Sequence, residues 1–187
     1  MWAMLYGVAE KISDEQIGGR RVKEKPIIFS APMVRAILSG TKTQTRRIAK
    51  NPLKCPYEVG MRLWVRETFT ECPTDFKDTN GIIYKADEKY NDYVLKGEWR
   101  PSIHMPRWAS RIILEVTGVR VERLQDISEE DAQAEGSERM HVDDLGQSWK
   151  TYWRGFQTLW EFIYGSESWD ANPLVNAIEF KRLEVSK

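Results

Sequence analysis

The sequence has little cysteine or histidine, with two residues of each in 187. Cys55 and Cys72 lie far apart, and neither has a second Cys or His nearby at the spacing of a zinc ligand set. Neither a disulfide framework nor a metal site is therefore indicated, and a reducing cytoplasm is the expected location. His104 and His141 leave few routes to a histidine-based catalytic triad.

Long apolar runs and net charge are also missing. No segment approaches the roughly eighteen apolar residues that cross a bilayer, and the apolar start at residues 1–9 lacks the basic region of a signal peptide. We therefore expect no membrane partner. The formal net charge is zero, but residues 19–66 hold twelve Lys or Arg and two acids, whereas residues 121–145 hold nine acids and two bases. These segments either neutralise each other within the fold or form an anion-attracting surface.

The apolar pattern predicts strands and helices without regular βαβ alternation. Strands are predicted at residues 26–29, 61–69, 82–84, 112–121 and 174–180. The fourth strand should bend or bulge at Gly118. Helices are predicted from Pro32 to a stop at Gly40, from Ser128 as N-cap to a stop at Gly136, and over about 148–164, where aromatic residues recur every three or four positions.

This order of elements predicts an α+β fold, a small mixed β-barrel with flanking helices. Residues 1–25 are interpreted as an N-terminal extension. Residues 26–187 are interpreted as a single domain with an insertion near 70–110. The eight Trp residues exceed the needs of a small core and favour a binding groove.

The polar segment 40–47, GTKTQTRR, follows the first predicted helix. Lys42 and Thr45 are three residues apart, and a turn or helical conformation would bring their side chains to one side. A neutral Lys42 amine would then deprotonate the Thr45 hydroxyl. An isolated lysine has a pKa of about 10.4, so we expect the positive charges of Arg46 and Arg47, together with burial, to lower the pKa of Lys42. On spacing alone, a solvated basic loop is the favoured interpretation of the segment.

The same segment resembles the Gly-x-Lys-Thr-x-Thr-x-Arg hallmark of the ASCH superfamily, whose fold is related to the PUA RNA-binding barrel. Residues 59–67, 99–108 and 127–136 resemble further parts of these proteins. The similarity extends over 27–182 and is greatest to the larger ASCH proteins of bacteriophages and prophages. This chain is longer than the small bacterial hydrolases of the superfamily.

One branch of that superfamily hydrolyses N4-acetylcytidine to cytidine and acetate without a metal or cofactor. The resemblance implies that Lys42 is the general base, Thr45 the nucleophile and Glu135 the proton donor, although a glutamate before a helix-ending glycine is usually exposed. Backbone N–H groups of the motif loop are the expected oxyanion donors. The candidate substrate-binding residues are Gly40, Thr43, Arg47, Glu67, Arg107 and Trp108.

Several of these residues have simpler interpretations. Gly40 serves equally as a helix terminator, and Glu67 as a strand-edge carboxylate paired with an arginine. The segment 99–108 either stacks a base between aromatic and arginine planes or forms a rigid packed loop.

The expected substrate is a modified nucleoside or base. An alternative function is RNA binding, in which Lys42, Arg46 and Arg47 contact phosphates and aromatic residues stack bases. Ribonuclease activity has less support, because the sequence has two histidines and no carboxylate cluster for a metal. The sequence does not indicate the oligomeric state.

Overall fold

The computed structural model describes residues 22–51, 53–71, 81–89, 94, 98–139 and 151–184. No helix in these ranges is long and apolar enough to cross a membrane. Its strands and α-helices are, in chain order, β1 (Glu24–Ile28), α1 (Ala31–Ser39), β2 (Gln44–Ile48), β3 (Arg62–Arg66), β4 (Phe69–Glu71), β5 (Ile82–Tyr84), β6 (Ile113–Arg123), α2 (Glu129–Ala134), α3 (Tyr152–Tyr164), α4 (Ser166–Asp170) and β7 (Leu174–Leu183).

Five strands form a mixed sheet in the order β1-β3-β6-β7-β2, and β4 pairs with β5 in a separate hairpin. β1 runs parallel to β3, whereas the other neighbours in the large sheet are antiparallel. The predicted α+β class, with a mixed sheet and flanking helices, is confirmed. β1 and β2 are the edges of this ladder, and the Arg47 guanidinium of β2 donates to the main-chain oxygen of Ile28 at 2.8 Å. A side chain therefore joins the two edge strands.

The long strand β6 contains the irregularity predicted at Gly118. Its register with β7 shifts between Val116 and Gly118. A Cβ atom at position 118 would lie 2.6 Å from Oε2 of Glu179 on β7. A larger residue at position 118 would require the Glu179 carboxylate to move.

The ends of α1 and α2 are as predicted. Gly40 has φ 82° and its N–H donates to the main-chain oxygen of Ile37, which ends α1. The Ser128 hydroxyl accepts a hydrogen bond from the N–H of Asp131, which caps α2. α3 begins at Tyr152, and residues 148–150 of the predicted helix lie outside the described residues.

The core has a main part and two smaller parts. The main part packs Val34 and Ile37 of α1 against the sheet, whose contribution includes Phe29, Leu63 and Ile178. A second cluster lies beneath α3 and α4 and includes Phe156, Trp160 and Trp169. A third supports the β4–β5 hairpin and includes Phe69 and Met105. The aromatic periodicity of α3 therefore marks a core face, as such a stripe usually does.

Several elements differ from the sequence prediction in extent, and two were missed. The strand predicted over 61–69 is divided into β3 and β4, which belong to different sheets. β1 starts at Glu24, two residues before the expected domain boundary, and β7 continues to Leu183. Neither β2 nor α4 was predicted. β2 was not predicted because its buried residues are polar, so the sequence shows no apolar alternation there. Residues 1–21 of the expected extension, and much of 70–110, lie outside the described residues.

Candidate active site

The motif segment ends in the edge strand β2, so its side chains alternate between the two faces of the sheet. β2 pairs with β7, with Thr45 opposite Ile178 and Arg47 opposite Asn176. Thr45 and Arg47 share one face, whereas Gln44 and Arg46 lie on the other. The turn or helical conformation that the spacing argument required is therefore wrong, because Thr45 belongs to an extended strand.

Lys42 and Glu135 form a buried ion pair. The side chain of Lys42 is 0% exposed and that of Glu135 is 5% exposed. Nζ of Lys42 donates to Oε2 of Glu135 at 2.8 Å and to the main-chain oxygen of Glu135 at 2.7 Å. The two residues also form an isolated β-bridge. The structure thus brings together the predicted base and the predicted acid from distant parts of the chain.

Gly136 allows this contact. It has φ 74°, a conformation that side chains disfavour. A Cβ atom at this position would lie 3.0 Å from Cβ of Lys42 and 3.2 Å from Cβ of Ala36. The turn after α2 can therefore pack directly against Lys42 and α1, and this packing places Glu135 at the amine.

Burial lowers the pKa of Lys42 below its ordinary value of 10.5. The charge and hydrogen bond of Glu135 oppose this effect, while the charges of Arg47 and Arg46 add smaller contributions that also lower the pKa. The predicted lowering of the pKa is confirmed, but burial is its main cause. The amine also lies 5.7 Å from the centre of the Phe29 ring, which contributes to the apolar surroundings.

Arg46 is fully buried among acidic side chains on the opposite face of β2. Its guanidinium donates to Glu122 at 2.5 Å, to Asp131 at 2.9 Å and to Glu135 at 3.2 Å. Arg120 donates to Glu122 and Asp131 as well. This network ties α2 to β2 and β6, and it holds Oε1 of Glu135 while Lys42 holds Oε2.

The burial of Arg46 and Lys42 corrects one part of the RNA-binding alternative. Both side chains are 0% exposed. A phosphate in solution would have to be desolvated and would have to break these ion pairs to reach them. Arg47 is the partly exposed member of the three residues assigned to phosphate contacts.

A cleft of about 1740 Å³ lies beside the ion pair. It runs between α1, the end of α2 and α3. Four of the predicted residues line it, namely Gly40, Thr43, Arg47 and Glu135. Thr45 is 1% exposed and is absent from the described lining of the cleft, although Thr43 and Arg47 belong to it.

Three N–H groups of the motif loop are not available as oxyanion donors. The N–H groups of Gly40, Lys42 and Thr43 already donate to main-chain oxygens within the fold, at 3.2, 3.0 and 2.8 Å. Within the described residues, no hydrogen bond joins Lys42 to the hydroxyl of Thr45. The roles of Lys42, Thr45 and Glu135 stay predictions.

Three predicted substrate-binding residues lie elsewhere. Glu67 is buried and accepts two hydrogen bonds from Arg111, both at 3.0 Å. Burial raises the pKa of Glu67, and the hydrogen bond and charge of Arg111 oppose the rise. Glu67 thus has the arginine partner that its simpler interpretation expected. It is absent from the described lining of the cleft.

The other two residues lie in the 99–108 segment. Arg107 pairs with Glu24 and stands 6.0 Å from the centre of the Trp64 ring. Trp108 is 63% exposed. Neither belongs to the described lining of the cleft, so the structure separates this segment from the Lys42–Glu135 pair.

Sequence reasoning missed two features of the site. Tyr57 lines the cleft near Arg47, and burial raises its pKa while the charge of Arg47 lowers it. Asn176 is a buried amide opposite Arg47, and its only sequence signal is a polar residue among β-formers. In the described ranges, no three His, Cys, Asp or Glu side chains are grouped to hold a metal ion.

No family model matches the chain, and no curated protein matches it. Two solved structures are similar in fold. One is an ASCH domain from Lactobacillus crispatus JV V101, at 14% identity over 86% of this chain and 79% of that domain, with a TM-score of 0.47. The other is a DUF984 protein from Enterococcus faecalis V583, at 14% identity over 80% of this chain and 65% of that protein, with a TM-score of 0.40.

Proposed function

We propose that this protein is an amidohydrolase that removes the acyl group from N4-acylated cytosine or cytidine. The buried hydrogen bond between Lys42 Nζ and Glu135 Oε2, 2.8 Å long, carries the proposal. It joins the two groups that the reaction needs, a base for the nucleophile and an acid for the leaving nitrogen. Thr45 supplies the nucleophile from the adjoining strand.

The pair holds one mobile proton. In one arrangement Lys42 is an ammonium ion and Glu135 a carboxylate; in the other the proton has crossed the hydrogen bond, and both groups are neutral. Burial disfavours charged groups and lowers the pKa of Lys42. The neutral arrangement is the reactive one, because it provides an amine that accepts a proton and a carboxylic acid that donates one.

The first half of the reaction forms an acyl-enzyme. Lys42 takes the hydroxyl proton of Thr45, and the Thr45 oxygen attacks the acyl carbonyl carbon. The bond from this carbon to N4 then breaks, and Glu135 protonates the departing nitrogen. Cytosine or cytidine leaves, the acyl group is esterified to Thr45, and the pair is left as ammonium and carboxylate.

The second half returns the enzyme to its starting state. The proton of Lys42 passes back to Glu135 across their hydrogen bond. Lys42 then accepts a proton from water, whose oxygen attacks the acyl-threonine ester. The Thr45 oxygen leaves and is protonated by Glu135, so one water molecule is consumed and one carboxylic acid is released.

The cleft offers suitable surfaces for a pyrimidine. The Tyr57 ring and the Arg47 guanidinium both line it, and aromatic and guanidinium planes stack on bases. The Arg47 guanidinium lies 5.2 Å from the centre of the Phe29 ring, and Nζ of Lys42 lies 5.7 Å from the same centre. A base bound at Arg47 would therefore lie close to the proposed catalytic groups.

The test is release of cytidine and acetate from N4-acetylcytidine. We expect the wild-type protein to form the two products in equal amounts, and Lys42→Met to form neither above the rate in buffer. Lys181→Met is the matched control, because Lys181 pairs with Glu115 at the surface and lies outside the catalytic pair and the described lining of the cleft. If the wild-type protein releases no cytidine, the proposed activity is wrong.

A further inference from the structure

Asn176 is a buried amide whose oxygen has no hydrogen-bond partner. The residue is 2% exposed, and its Oδ1 atom accepts no hydrogen bond within the described part of the chain. It lies in β7, which is paired with β2 on one side and β6 on the other. Asparagine is unfavourable in a central strand, and an unpaired buried acceptor costs further free energy. Stability of the fold therefore does not explain this residue.

The register of the sheet places Asn176 beside Arg47, which lines the cleft, although Asn176 itself is absent from the described lining. It stands directly opposite Arg47, and Thr45 is opposite Ile178 on the same two strands. Residues two apart share a face of a strand, so Asn176, Ile178, Thr45 and Arg47 all point to one side. Asn176 and Thr45 are diagonal neighbours across the ladder, a relation that spans about 7 to 8 Å.

The scissile amide needs polar partners, and the motif loop cannot give them from its backbone at Gly40, Lys42 or Thr43. These N–H groups already donate hydrogen bonds to main-chain oxygens within the fold. Side chains on the Thr45 face are further groups that can bind the amide. Arg47 offers only donors, whereas Asn176 offers both an acceptor and a donor.

We infer that Asn176 recognises the edge of the base that carries the acylated nitrogen, an inference that rests on the proposed function. Oδ1 accepts the N4–H of the scissile amide, and Nδ2 donates to the ring nitrogen N3. An asparagine side chain matches adenine in the same way, with one donor and one acceptor side by side. The substrate class is therefore an acylated amino-heterocycle with an unprotonated ring nitrogen beside the amide. Simple amides lack the second contact.

The test compares N4-acetylcytidine with its 3-deaza analogue, in which a C–H group replaces N3. We expect wild-type kcat/KM to favour the natural base by about 10- to 100-fold, the value of one good bidentate contact. In Asn176→Leu the ratio of kcat/KM for the two substrates should fall to about 1, so that neither is preferred. The same ratio in both proteins would overturn the inference.

Asn176→Leu also separates recognition from folding. Leucine has a similar size and removes the unpaired acceptor, so the thermal midpoint should stay the same or rise. A purely structural asparagine would instead lower the midpoint without changing the ratio of the two substrates. Thr117→Ala is the control, since Thr117 is an exposed residue of β6 outside the described lining of the cleft. It should leave the ratio unchanged.

Binding to the Thr45→Ala protein distinguishes failure of this inference from failure of the proposed function. Tryptophan fluorescence would report the affinity for both compounds without turnover. One outcome separates the two claims: the wild type has no activity, Thr45→Ala binds N4-acetylcytidine more tightly than the 3-deaza analogue, and Thr45→Ala with Asn176→Leu binds both equally. In that case base recognition by Asn176 stands and the proposed hydrolysis is wrong. Equal affinity for the two compounds would overturn the role of Asn176, whatever the activity.

Discussion

Nζ of Lys42 is held by two oxygen atoms of one residue, the Oε2 and main-chain oxygen of Glu135, at 2.8 and 2.7 Å. The amine is thereby fixed to both the side chain and the backbone at the end of α2. A lysine side chain normally has considerable rotational freedom, and this freedom is lost here within the fold. The arrangement fixes the base and the acid relative to each other before any substrate binds.

The pair should be strongly coupled in its contribution to stability. Lys42→Met leaves Glu135 its second partner, Arg46, whereas Glu135→Leu leaves the buried Lys42 without the one carboxylate that the described structure gives it. We expect Glu135→Leu to lower the free energy of unfolding by about 3 to 5 kcal/mol and Lys42→Met to lower it by less. Urea denaturation of both single variants and the double variant measures this.

The double variant should lose less stability than the sum of the two single losses, because it leaves no unpaired charge from the pair. The exposed pair Lys23–Glu58, 2.9 Å apart, is the matched control, and its coupling should stay below about 1 kcal/mol. Additive losses at Lys42 and Glu135 would show that the two residues do not act as a unit.

Activity should fall as the pH rises through the pKa of Lys42. The pair shares one proton, and its loss leaves Glu135 as a carboxylate that cannot protonate the leaving nitrogen, so kcat/KM should decrease with a midpoint below the ordinary lysine value of 10.5. Burial, which lowers the pKa of Lys42, places the midpoint there. A pH profile of kcat/KM checks the prediction, and activity that is still undiminished at pH 10.5 would contradict it.

The same shift has a consequence for stability. Between the lowered pKa of folded Lys42 and 10.5, the unfolded chain binds more protons than the folded one. Stability relative to Lys42→Met should therefore rise with pH across that window and become constant above it. Parallel curves for the two proteins would mean that the pKa of Lys42 is the same in both states.

Gly136→Ala should damage the site more than its backbone strain alone predicts. Any residue with a side chain at φ 74° is strained by about 1 to 2 kcal/mol, and the new methyl group would also lie 3.0 Å from Cβ of Lys42. Overpacking of this kind adds about 1 to 3 kcal/mol. We expect thermal denaturation to show a larger loss of stability than strain gives, and turnover to fall.

Gly60→Ala isolates the strain. Gly60 has φ 82°, and a Cβ atom there would meet open space. This variant should lose only the strain energy and keep full turnover. If both alanine variants are equally stable and equally active, the packing of Gly136 against Lys42 does not position the pair.

The elements that the sequence predicted well are those with a local physical signal. The helix stop at Gly40, the Ser128 cap and the bulge at Gly118 each follow from one residue type at one position. β2 was missed because its buried residues are Gln44, Thr45 and Arg46, whose partners come from distant parts of the chain. No periodicity in the local sequence records such long-range ion pairs.

For the candidate site too, some residues could be predicted from the sequence and others could not. The resemblance of residues 40–47 and 127–136 to ASCH proteins predicted one site for Lys42 and Glu135, and the structure joins these two side chains. Nothing in the sequence indicates whether Glu67 and Trp108 contact residues 40–47. In the fold, Glu67 pairs with Arg111 and Trp108 is exposed. The complete burial of Arg46 depends on α2, whose Asp131 pairs with it, and the local sequence around Arg46 carries no signal of that pairing.

The most direct test of the account is the turnover of N4-acetylcytidine by Thr45→Ala. Thr117→Ala is the control, because Thr117 is an exposed threonine on a strand of the same sheet. We expect both variants to fold, Thr117→Ala to keep wild-type turnover, and Thr45→Ala to release no cytidine. Mass spectrometry of the intact wild-type protein during turnover should also detect an acetyl adduct that Thr45→Ala lacks. A fully active Thr45→Ala protein would contradict the proposed covalent mechanism.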